Sequence, residues 1–176
     1  MGSRTIEINR APVLTLWAAV VAERMGFDWD EAVSLGRAVA GLNAQAKGRR
    51  LGLFKPAEGG AKQARKKKRG EEFWVEVCGR AVPAVSTPDG VRAVKGDQPI
   101  ASDKAVRYLE SKFGEDLAAA RAAMRTLASA FAPEDLETRA YGLYERFRPE
   151  IPKGRKGWGA KGDLDLEFLA SLADEA

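Results

Sequence analysis

Trp17-Ala18-Ala19-Val20-Val21-Ala22-Glu23-Arg24-Met25-Gly26-Phe27-Asp28-Trp29-Asp30-Glu31 is the stretch on which the fold turns. Working outward, Val13, Leu16, Trp17, Val20 and Val21 recur at the three- and four-residue intervals that gather apolar groups on one helical face. Pro12 suits a first turn, where its missing N–H has no helical partner to lose. The spacing predicts a helix over about residues 12–25. Gly26 supplies the left-handed conformation that ends it. Asp28, with Glu31 three residues on, has the form of a reciprocal cap opening a second helix. That helix runs to about Ala46 and turns Ala32, Val33, Leu35, Val39 and Leu42 inward.

The pair, over about residues 18–40, resembles the helix-turn-helix of prokaryotic DNA-binding proteins. Ala22 precedes Gly26 by four, Val21, Met25 and Phe27 bracket the turn, and Ala32 and Leu35 occupy later buried positions. The resemblance implies two helices locked at a steep angle, with the start of the second near base edges. In this sequence that start carries Asp28, Asp30 and Glu31, which would repel phosphates but complement the helix dipole and cap free amides. The pair therefore reads as a frame.

Composition changes sharply after Ala46. From Lys47 to Arg69 ten basic residues (Lys47, Arg49, Arg50, Lys55, Lys62, Arg65, Lys66, Lys67, Lys68 and Arg69) face one acid, Glu58, for a net +9. The 176-residue chain is only +4, so its other residues sum to −5. A basic arm beside an acidic remainder suits neutralisation of phosphates and release of their counterions, and Gly59-Gly60 argues for a mobile loop. The competing reading is a solvated loop that keeps the following strand soluble.

With 45% hydrophobic and 31% charged residues the composition is that of a globular chain able to bury a core. The apolar N-terminal helix is too short to span a bilayer and no signal peptide precedes it, so the expected location is cytoplasmic, with no membrane partner. Histidine is absent, which excludes histidine bases, triads and metal ligands; one cysteine, Cys78, excludes an internal disulfide and zinc or iron–sulfur sites held by this chain alone. No catalytic constellation, metal site or cofactor site is expected. A carboxylate- and Mg²⁺-dependent phosphoryl enzyme remains as chemistry without a motif.

Further along, Phe73, Val75 and Val77 alternate with Trp74, Glu76 and Cys78, and Arg80–Val85 leads through Pro88-Asp89-Gly90 to Val91–Val94. This predicts two or three antiparallel strands, with Gly79 at a bulge or tight bend and Pro83 on an edge. Thr5–Ile8 reads either as a short strand or as an arm. Ser102 is expected to cap a helix over about 103–113, followed by helices over about 115–131 and, opened by Pro133, to Phe147. Tyr108, Tyr141 and Tyr144 read as core residues with a polar tip.

A second basic cluster follows: Arg146, Arg148, Lys153, Arg155, Lys156 and Lys161 against Glu150. Gly157, Gly159 and Gly162 spell a dinucleotide fingerprint, which fails because prolines and not a strand precede it. Glycine amides ringed by cations and carrying Trp158 could cradle a phosphate or stack a base; the other reading makes Trp158 an anchor for the loop. From Asp163 an amphipathic helix with an acidic first turn is expected, with Leu164, Phe168, Leu169 and Leu172 closing the core or a partner's groove. Capping explains Asp163 and Asp165 without Mg²⁺.

The expected fold is mainly α with a small antiparallel β unit. It comprises an N-terminal helical pair (1–50), a basic loop (51–71), the β unit (72–96) and a C-terminal helical region (97–176), within one compact domain. The expected function is non-enzymatic binding of DNA or RNA backbone with low sequence specificity, through Lys47, Arg49, Arg50, Lys62, Arg65, Lys66, Lys67, Lys68, Arg69, Lys153, Arg155, Lys156, Trp158 and Lys161. The alternative is a protein–protein interaction or homo-oligomerisation module with a solvated basic loop.

Overall fold

The computed structural model describes residues 5–50, 73–96, 98–151 and 160–175, and the side chains of 46–50 lie outside that description. The fold is mainly helical with two small antiparallel sheets. β1 (Thr5–Asn9) leads directly into α1 (Arg10–Arg24), and α2 (Trp29–Arg50) follows. A four-stranded sheet comes next: β2 (Phe73–Val77), β3 (Arg80–Thr87), β4 (Gly90–Lys95) and β5 (Gln98–Pro99), in that spatial order. Then come α3 (Ser102–Phe113), α4 (Leu117–Ser129) and α5 (Pro133–Phe147), and finally β6 (Lys161–Asp165) and α6 (Leu166–Ser171).

α1 is the axis of the molecule. The expected one-sided stripe proves too narrow, because every residue from Pro12 to Ala22 is buried. A helix apolar on all sides belongs in an interior, and α1 is flanked by α2, α3, α4 and α5. Its polar groups are satisfied locally or across the core. The Thr15 hydroxyl donates to Ala11 O (2.9 Å), and the Trp17 indole N–H donates to Ala140 O on α5 (2.9 Å). Trp17 also meets Phe147 edge-to-face at 5.2 Å.

The corner forms as its residues dictate. Gly26 takes φ +117°, Phe27 N donates to Ala22 O and Gly26 N to Glu23 O, which is the Schellman closure. The capping box is present in both directions, Glu31 N to Asp28 Oδ1 (2.8 Å) and Asp28 N to Glu31 Oε1 (3.0 Å). Glu31 does more: its Oε2 accepts from Val91 N (2.8 Å), so β4 is pinned beside the start of α2. Gly36 lets α2 lie against the α1 backbone, since a Cβ there would stand 2.9 Å from Ala19 N and overlap Thr15 O.

In the larger sheet the tight bend is at Cys78-Gly79, with φ +49° and +76° as a type I′ hairpin requires. Pro83 is not on an edge strand. It lies in β3 opposite Trp74, but the β3–β4 ladder begins only at Ala84–Ala93, so its missing N–H interrupts no pair. The alternation at Thr5–Ile8 is a strand. β1 pairs antiparallel with β6, Ile6 opposite Leu164.

Two caps differ from expectation. Ser102 is the first residue of α3, Ala101 is the N-cap, and no side chain caps it. Asp163 does not cap a helix, because β1 offers an open ladder and β6 takes it; Asp165, the last residue of that strand, is the expected cap, accepting from Phe168 N (3.0 Å) at the helix that begins at Leu166. The period-two burial of Gly162, Leu164 and Leu166 is the signal for that strand. The stretch expected to form one helix over about 115–131 is split into a short 3₁₀ turn (Gly114–Asp116) and α4.

Candidate nucleic-acid interface

The fold supplies the ground from which each basic block springs. α2 does not stop near Ala46 but continues to Arg50, so Lys47, Arg49 and Arg50 stand on its last turn and not in a loop. Ala44 and Ala46 favour the helix, a lone glycine at 48 costs only about 1 kcal/mol, and cations at a helix C-terminus suit the macrodipole. Of the other residues assigned to phosphate binding, Lys62, Arg65, Lys66, Lys67, Lys68 and Arg69 lie outside the described residues. So do Lys153, Arg155, Lys156 and Trp158. Lys161 is described: it is exposed at the start of β6, opposite Asn9.

Between these two roots runs a strip of cations and aromatic rings. Asn43, one turn before Lys47 on α2, accepts from Arg80 Nη2 (2.8 Å). The Arg80 guanidinium carbon stands 5.9 Å from the Tyr141 ring centre, and Tyr141 leans on Tyr144 at 5.6 Å. Arg148 lies over the other ring at 5.8 Å, and Arg10 Nε donates to Pro149 O (2.8 Å), just before the second block. The contacts run unbroken from the last turns of α2 to Pro149. Tyr144 is buried and Tyr141 and Tyr108 half-buried, so the tyrosines are core residues with one edge turned to this strip or, for Tyr108, to Arg37.

The electrostatics of the strip are unbalanced. Burial first, and the neighbouring Arg148 second, lower the pKa of Arg10, while Tyr144, Glu150 and Tyr141 act in the opposite sense. Two guanidinium groups near enough to oppose each other are both stabilised by an anion set between them. Among the described residues none of Arg10, Arg80 and Arg148 is within ion-pair distance of a carboxylate. Four other cations are matched: Arg146 with Glu175 (3.0 Å), Arg107 with Asp103 (2.9 Å), and Arg121 and Arg125 both with Glu23 (3.3 and 3.0 Å). Arg146 thus leaves the second basic cluster.

Sequence reading missed Arg10 and Arg80 as site residues. Each is isolated in sequence, and no local pattern marks it. Only the β2–β3 turn and the β1–α1 junction bring them to the same strip. The C-terminal stripe is spent on the protein itself: Leu164, Leu166, Leu169 and Leu172 are buried, α6 packs on α4, and Phe168 faces out at 42% exposure. Among the described residues no cluster of three or more acidic or cysteine side chains could hold a metal ion, and no helix is long and apolar enough to cross a membrane.

No family model matches the chain, and none of the curated proteins or solved structures compared with it is a match.

Proposed function

We propose that this chain is a non-enzymatic nucleic-acid-binding protein that grips backbone phosphates with little preference for sequence, using two basic segments carried on a helix-turn-helix-like frame. The observation that carries this reading is the concentration of +9 in residues 47–69 of a chain whose remainder is −5. Two structural facts support it. The strip of Arg80, Tyr141, Tyr144, Arg148 and Arg10 links the roots of both basic segments by one run of contacts, with Tyr144 buried beneath it. Glu31 at the start of α2 is engaged by Val91 N, which supports reading the helical pair as a frame. Phosphate contacts of this kind position a protein without reading bases.

The test is a mobility-shift titration with duplex DNA and with single-stranded RNA across a salt series. Affinity is expected to fall about a thousandfold or more between about 50 and about 200 mM salt, as for a protein making six or more phosphate contacts. Replacing Lys66, Lys67 and Lys68 together by alanine should reduce the slope of log K against log salt by about three, equally for all sequences. Affinity indifferent to salt would sink the reading.

A further inference from the structure

A second concavity lies away from the cationic strip, under α2 where it crosses the sheet and the start of α3. The sequence creates it. Pro83 has no N–H to offer, the β3–β4 ladder stops at Ala84–Ala93, and Val94 beyond it pairs only with Pro99 among the described residues. Above that gap α2 presents Ala38 and Gly41, two of its smallest side chains. The result is a cleft of about 300 Å³, at the small end of the range for small-molecule sites. Its wall is fixed in place: the buried Ser34 hydroxyl accepts from Ala93 N (2.9 Å) and donates to Ile100 O (2.7 Å), while Ile100 N donates to Ala93 O (2.7 Å).

The lining has two parts. Leu42, Pro83, Val94 and Ile100 form an apolar floor, and Arg37, Lys95 and Lys104 bring three positive charges to the edge. Among the described residues no carboxylate lines it. Arg37 is held by stacking on Tyr108, its guanidinium carbon 4.1 Å from the ring centre, which orients the plane before any ligand arrives. An apolar hollow rimmed on one sign of charge selects its occupant twice, by burying a hydrocarbon body and by pairing one acidic head.

We infer that the cleft between α2, the β4 end and α3 is a binding site for a small amphipathic organic anion, an acyl or aryl body bearing a single acidic group. The body lies on Leu42, Val94 and Ile100, and the head meets Arg37 with Lys104 and Lys95. This site is independent of nucleic-acid binding, and either can fail without the other.

Gly41 gives a test that does not depend on damaging the fold. It lines the cleft, yet a Cβ built on it meets nothing within 4 Å, so Gly41→Leu fills the hollow while improving helix propensity. The probes are octanoate, 1-octanol and octylammonium, one body with three heads, titrated into the full chain while the backbone amides of Gly41 and Gly96 are followed by NMR. Octanoate is expected to shift both amides saturably, octanol to bind at least about tenfold more weakly, and octylammonium not to bind there. Arg37→Gln should weaken octanoate about tenfold or more. Gly41→Leu should abolish the Gly96 shift while its melting temperature stays level or rises. Equal binding of octanol and octanoate, unmoved Gly41 and Gly96 amides, or undiminished binding by Gly41→Leu would each overturn the assignment.

Discussion

Ser34 shows how one hydroxyl organises its surroundings. It is fully buried on α2, in the apolar run Ala32–Leu35, and satisfies a donor on β4 and an acceptor ahead of α3 at once. Ser34→Ala strands both, and the expected cost is about 1–3 kcal/mol, read from urea unfolding with an unchanged m-value. Cys78 and Tyr144 set the response to alkali. Burial pushes the Cys78 thiol up and likewise the Tyr144 phenol, so both stay protonated in the folded protein where the unfolded chain would ionise. With fewer protons bound unfolded than folded, stability is full below the unfolded pKa values and falls above them. The decline should begin near about pH 8.5 for the thiol and steepen near about pH 10 for the phenol, by up to about 1.4 kcal/mol per pH unit for each group. Cys78→Ala should delay the onset to the higher pH. Unfolding free energies measured at intervals from pH 7 to pH 11 decide it, and a flat profile would refute the burial argument.

Two glycines on one helix answer the same substitution with opposite sign. At Gly36 the α1 backbone occupies the place a methyl group would take, and Gly36→Ala is expected to destabilise by about 1–3 kcal/mol as the two helices are forced apart. At Gly41 the space is open, and Gly41→Ala is expected to stabilise by about 0.5–1 kcal/mol. Paired thermal melts compare them directly. Sequence alone treats both as helix weaknesses, since propensity knows nothing of the neighbour across the interface. The corner between α1 and α2 is the reverse case. Ala22, Gly26, Asp28 and Glu31 are all legible because the Schellman closure and the capping box are made by atoms within six residues of one another.

For the whole molecule, the C-terminal segment is part of the fold. β6 completes the ladder with β1, and Leu164, Leu166, Leu169 and Leu172 enter the same core as α1. Truncation after residue 162 is therefore expected to abolish cooperative unfolding, as followed by circular dichroism. Phe168→Ser, on the outward side of α6, should alter stability by less than about 0.5 kcal/mol. If Phe168→Ser instead changes the sedimentation mass, the face of α6 is a contact between copies. At this scale charge also separates into two kinds: pairs such as Glu23 with Arg121 and Arg125 that are matched internally, and cations such as Arg10, Arg80 and Arg148 that have no carboxylate within ion-pair distance among the described residues.

What the sequence by itself determined is whatever depends on near neighbours. The helical corner, the turn at Pro88-Asp89-Gly90, the start of α5 at Pro133 and the +9 block all follow from period, local hydrogen bonding or counting. Tertiary structure alone decided that α1 is enclosed on every side, that Asp163 lies in a strand and the helix waits until Leu166, and that Arg10 and Arg80 share one strip although 70 positions separate them. The physical reason is the same in each case: a free ladder edge, a second packing layer or a distant cation acts through space with energies comparable to local propensity, and it leaves no mark on the residues beside it in the chain.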